Sequence, residues 1–130
     1  MADTVGVDVI FSGSNRRIYR FTNRSDSTGE SDVVKIDVST LTGPKGAPVN
    51  YLVIEKASWN IQGFSSVQLE FDASTDDEAL ILSGVGERTW PGGFKDPKSS
   101  GTTGDLLLTT YGAALNATYD ITLHVKLKNT

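Results

Sequence analysis

The chain has no cysteine, one histidine and no long apolar run among its 130 residues. Without cysteine there are no disulfides and no thiolate metal sites, and synthesis in a reducing compartment is favoured. With His124 as the sole histidine, neither a two-histidine metal site nor a pair of histidines for acid–base work can be built. No stretch reaches the about 20 apolar residues that a membrane-spanning helix needs. The start, Met1-Ala2-Asp3-Thr4-Val5, has neither the basic region nor the apolar region of a signal peptide. Basic residues are few: Arg16, Arg17, Arg20 and Arg24 are scattered through one short region, and the net charge is −4 with a pI near 4.8. A broad phosphate-contacting surface is therefore not expected, and neither nucleic acid nor membrane is an expected partner.

What the chain does contain is alternation. From Tyr119 to Leu127, apolar Tyr119, Ile121, Leu123, Val125 and Leu127 alternate with polar Asp120, Thr122, His124 and Lys126. A period of two sends the sets to opposite faces of a strand, so this segment predicts a long, half-buried strand. The same pattern marks Val5–Phe11, Arg17–Phe21, Val33–Val38 (with Val34, Ile36 and Val38 on one side) and Val67–Phe71. In Tyr51–Ile61 the apolar set runs Leu52, Ile54, then Ala57, Trp59 and Ile61, which predicts a β-bulge near Lys56. Ala79–Leu82 and Leu106–Thr110 are short apolar strands. The one helix-like window, Asp76–Leu82, is short and ends in a β-favouring run.

About eight strands separated by turn clusters predict an all-β fold, a single antiparallel β-sandwich or barrel over residues 1–130. A chain of this size buries roughly two-thirds of its unfolded surface, enough for a core without staples. Residues 1–7 read as an extended N-terminal arm able to add a strand to a neighbour's sheet edge. Residues 42–50 and 84–104 read as long loops, the second carrying Trp90-Pro91-Gly92-Gly93-Phe94.

Candidate chemistry is thin. Asp72, Asp76, Asp77 and Glu78 could offer oxygen ligands to calcium or a carboxylate pair to a hydrolase, but their spacing matches no calcium loop. Gly84-Val85-Gly86 and Gly101-Thr102-Thr103-Gly104 lack the following helix that a phosphate loop requires. Asn116-Ala117-Thr118 fits the glycosylation pattern only in a secreted chain. Trp59, Trp90 and Phe94 could form a sugar platform or a protein contact, with Trp59 placed by its periodicity in the core. No catalytic residue, metal ligand or cofactor is expected, so the reading is a binding or structural protein and not an enzyme.

Several segments resemble small virion proteins of tailed bacteriophages. They are Tyr19-Arg20-Phe21-Thr22-Asn23, Ser25–Glu30, Val33–Ser39, Ala79–Gly84, Gly104–Thr110 and Thr118–Leu123. The resemblance covers most of the chain and is one of short β segments, without a catalytic signature. It implies a jelly-roll-like sandwich and a capsid decoration, or cement, protein. Such a protein is made in the bacterial host cytoplasm and sits on the outer capsid surface. It holds neighbouring copies of the major capsid protein, commonly as a homo-oligomer, with a trimer favoured. Tail, head–tail adaptor and fibre-associated roles, and a carbohydrate-binding module, are the alternatives. The candidate contacts are Asp3, Thr4 and Val5 of the arm, Pro44, Lys45 and Pro48 of the first loop, and Trp90, Pro91 and Phe94 of the second.

Overall fold

The computed structural model describes residues 4–13, 15–41, 43, 46–97 and 100–128. Among the described residues, nine strands form two antiparallel sheets: β1 (Thr4–Ser12), β2 (Arg16–Asp26), β3 (Val33–Ile36), β4 (Tyr51–Gln62), β5 (Ser66–Phe71), β6 (Asp77–Leu82), β7 (Val85–Lys95), β8 (Leu106–Tyr111) and β9 (Leu115–Lys128). One sheet runs β1-β2-β9-β4-β7 and the other β3-β8-β5-β6. Without β1, the two orders are those of an eight-stranded jelly roll, in which the chain passes between sheets at nearly every connection. β1 is a ninth strand added to one edge.

The core lies between the sheets and follows the alternation. Along β9, Tyr119, Ile121, Leu123, Val125 and Leu127 are all buried, while Asp120, Thr122, His124 and Lys126 are partly exposed on the other face. Phe21 of β2 and Leu52, Ile54 and Ala57 of β4 complete that layer. Val67, Leu69, Phe71, Leu80, Leu106 and Leu108 face them from the second sheet. The bulge expected near Lys56 is present. Ile54 pairs with Val125 and Lys56 with His124, so Glu55 is the extra residue and the inward face resumes at Ala57.

Four expectations change. Residues 4–7 are not a free arm: they pair with Arg24 through Phe21 as the first half of β1. The segment from Val85 to Lys95 is strand β7 and not loop, although residues 90–93 leave the ladder, since Ile54 pairs with Phe94 and Lys56 with Thr89. Proline is tolerated there because β7 is an edge strand. The helix-like window is strand β6, and a short 3-10 turn spans Val38–Thr40. Finally, β3 breaks register between Val34 and Ile36. Lys35 is therefore buried, whereas Val34 is about half exposed.

Candidate binding surfaces

Thr4 and Val5, candidate contact residues of the N-terminal segment, lie on the edge strand β1. Asp3 is outside the described residues, Thr4 opens β1 and Val5 follows it. Val5, Val7 and Val9 pair with Asn23, Phe21 and Tyr19, whose side chains are all buried. Paired residues share a face, so these three valines point to the core side of the sheet. They stay 45–49% exposed because the facing sheet ends at the four-residue β3 and does not reach under β1. Past the register shift at Ile10, both Ile10 and Phe11 are more than half exposed. Five apolar side chains thus lie on an edge strand whose outward backbone groups have no strand partner among the described residues.

In the first loop, Pro44 and Lys45 lie outside the described residues, and Pro48 is exposed. Trp90 and Phe94 come together with Trp59 and Arg88 in a cleft of about 300 Å³ between edge strands β6 and β7. Pro91 is exposed. The aromatic rings are already engaged. Arg88 lies over the Trp90 ring at 5.3 Å, and Phe94 meets Trp90 nearly edge-on at 6.1 Å. Phe94 stacks on Phe71 of the core, also at 6.1 Å. Trp59 spreads over Gly86, where a Cβ would come within 2.6 Å of its ring, and its indole N–H donates to the Ser83 carbonyl at 3.1 Å. The three rings are partly buried and pack against the core.

A hollow of about 420 Å³ lies on the outer face of the five-stranded sheet. It is lined by Thr22, Asn60, Gln62 and Thr118 around an Arg20–Asp120 pair that closes on itself through two hydrogen bonds of 3.0 and 2.8 Å. His124 lies on the same face, and no carboxylate–histidine–hydroxyl arrangement forms around it among the described residues.

The acidic turn of the sequence splits in space. Asp72 accepts from the Thr103 hydroxyl at 2.7 Å, and Glu78 accepts from the Gln68 amide at 2.9 Å. Asp76 joins the carboxylates of Asp32 and Glu70, with ligand oxygens within 4.8 Å of one another. Partial burial, then the charges of Asp32 and Asp76, raise the Glu70 carboxyl above its ordinary range. The Asp105 carboxyl is also raised, first by burial, although it accepts from the Val38 N–H at 2.9 Å.

One polar cluster was not legible as a site. Glu30, in the connection from β2 to β3, turns inward. Its carboxylate meets the Lys35 ammonium at 2.6 Å, accepts from the Asn23 side-chain amide at 2.7 Å and accepts from the Tyr119 hydroxyl. The Lys35 and Glu30 side chains are 2% and 6% exposed. Asn23 and Tyr119 are cross-strand partners on the buried face of β2 and β9. The connection is tied to the opposite sheet by its backbone: the Glu30 N–H donates to Thr110 Oγ1 at 2.8 Å, and the Thr110 N–H donates to the Glu30 carbonyl at 2.9 Å. The sequence signal was a lone lysine in an otherwise apolar run, Val33-Val34-Lys35-Ile36.

No protein-family model matches this chain, and no curated protein matches it. Among solved structures, the chain is similar to a crystal structure of a cupin domain from Bordetella pertussis Tohama I. The two are 6% identical, with a TM-score of 0.41 over 99% of this chain and 98% of that one.

Proposed function

We propose that this protein is a structural component of a phage particle, a capsid decoration protein that docks on the outer surface of the major capsid protein and stabilises contacts between its subunits. The observation that carries the reading is the β1 edge. A soluble monomer rarely leaves a contiguous apolar strand with an open backbone edge uncovered, because such an edge recruits other chains. Here Val5, Val7, Val9, Ile10 and Phe11 form that edge on a strand added to an otherwise complete jelly roll. Capture of a capsid segment against β1 would extend the five-stranded sheet by one strand and cover the valines. Main-chain hydrogen bonds supply affinity in such docking, and alternate side chains supply register. Repetition around a symmetry axis, as in a trimer, multiplies each weak contact.

The expected behaviour is saturable, stoichiometric co-sedimentation with heads of the phage that encodes the chain. Val7→Lys and Val9→Lys should abolish binding while the purified protein keeps its β-sheet circular dichroism. A wild-type protein that ignores heads at every stage of maturation would overturn the reading. A copy number near a dozen per particle, in place of hundreds, would move the protein to the head–tail junction or tail.

A further inference from the structure

The Glu30 cluster holds the three groups needed to make an amide bond between side chains. An amine (Lys35 Nζ) and a primary carboxamide (Asn23) rest on the two oxygens of one carboxylate, at 2.6 and 2.7 Å. The amine comes from β3 in one sheet and the carboxamide from β2 in the other. We propose that Lys35 and Asn23 form an intramolecular isopeptide bond, with Glu30 as the acid–base that moves the protons.

The step balances without any outside reagent. Glu30 takes one proton from the Lys35 ammonium, leaving a neutral amine. The Nζ lone pair attacks Asn23 Cγ and forms the new C–N bond. Glu30 relays a proton from the attacking nitrogen to Asn23 Nδ2, the Cγ–Nδ2 bond breaks, and ammonia leaves. The products are a secondary amide, ammonia and a protonated Glu30 carboxyl.

Three features favour this outcome over a static ion pair. Fixing amine and amide on the two oxygens of one carboxylate turns a slow bimolecular aminolysis into a unimolecular one, where effective molarities for well-oriented groups reach about 10⁵ M or more. The site is nearly sealed, since all four side chains are at most 6% exposed. Water therefore cannot compete readily for the carboxamide carbon. The reaction also replaces a buried ion pair, which carries a desolvation penalty, by two neutral groups. Its product would tie the two sheets covalently, a device suited to a chain that has no cysteine for the purpose.

The test is the intact mass of the purified full-length chain under denaturing conditions, measured beside Lys35→Arg, which keeps the charge but cannot form the bond. The wild type should be lighter than its own sequence by one ammonia and the variant should match its sequence. Fragmentation of a tryptic digest should yield a branched peptide joining the segments around Asn23 and Lys35. Asn23→Asp, nearly identical in shape, should lose one water instead. Glu30→Gln should run at the unreacted mass, and if it fails to fold the Asn23→Asp result still decides. A folded wild type at its full sequence mass overturns the proposal, as does an ammonia loss that persists in Lys35→Arg.

Discussion

Glu30 and Asp32 are two residues apart in one connection, yet the fold sends them to opposite sides of β8. Glu30 is held by Thr110, whose partner Val67 faces the core, and Asp32 by Thr109, whose partner Gln68 faces outward. Inside, the carboxylate is matched by one cation and two neutral donors. Outside, Asp32 sits among Glu70 and Asp76. The interior admits a charge only when every lone pair has a donor and the net charge cancels. The surface tolerates like charges because water screens them, at the cost of a raised Glu70 carboxyl. The first cluster is therefore a specified arrangement and the second a consequence of where three loops and strands happen to meet water.

The largest expected effect comes from unbalancing the inner cluster. Lys35→Met leaves the Glu30 carboxylate buried and unpaired, and breaking such a pair costs about 3–5 kcal/mol. Denaturant unfolding of the purified variant measures it. Lys35→Arg separates charge from covalent chemistry, since it keeps the cation while blocking any bond to Asn23. The double variant Glu30→Leu/Lys35→Met removes both charges together and should be more stable than Lys35→Met alone. If the double variant is instead the weaker of the two, the cluster is not held by charge balance.

A second variant strikes both clusters through the turn that positions them. Gly29 has φ +77°, and a Cβ there would lie 2.7 Å from Thr110 Oγ1 and 3.1 Å from the Ala113 methyl. Gly29→Ala should cost about 1–3 kcal/mol, combining left-handed backbone strain with a push against β8. Gly46→Ala is the control: φ is +76°, but nothing lies within 4 Å. It should cost the backbone part alone, about 1 kcal/mol. Equal losses at the two sites would mean that the approach of the connection to β8 is looser than its hydrogen bonds imply.

The sheets were readable in the sequence wherever period two was unbroken, as in β9, or broken by one residue with the apolar set resuming, as at Glu55 in β4. The inner cluster was not, for two physical reasons. Alternation placed Val34, Ile36 and Val38 together, but the irregularity at Lys35 reverses the faces, leaving Val34 outside and sending Val38 into a 3-10 turn. Glu30 lies in a polar run where burial has no pattern to follow, because it depends on how closely the connection approaches the other sheet. β7 was missed because an edge strand with a Pro-Gly-Gly excursion shows neither period nor a continuous apolar face. The apolar character of β1 was visible, but its place on an uncovered edge is a property of sheet order, which local sequence does not encode.

The smallest expected effect belongs to the outer cluster, and its sign is the informative part. The folded protein raises the Glu70 carboxyl above its ordinary value of 4.5, first by burial and then by Asp32 and Asp76. Between the unfolded and the folded values the native state binds more protons than the unfolded chain, so stability falls as pH rises through that window. Below the window both states are protonated and the penalty vanishes. Glu70→Gln removes the titration and should stabilise the protein at neutral pH, by roughly 0.5 kcal/mol or less given the solvent screening at this site. At a pH below the ordinary glutamate range the two proteins should unfold at more nearly the same denaturant concentration. Paired unfolding curves at neutral and acid pH check this, and a variant destabilised at neutral pH would show that the Glu70 carboxylate makes contacts whose benefit outweighs the repulsion.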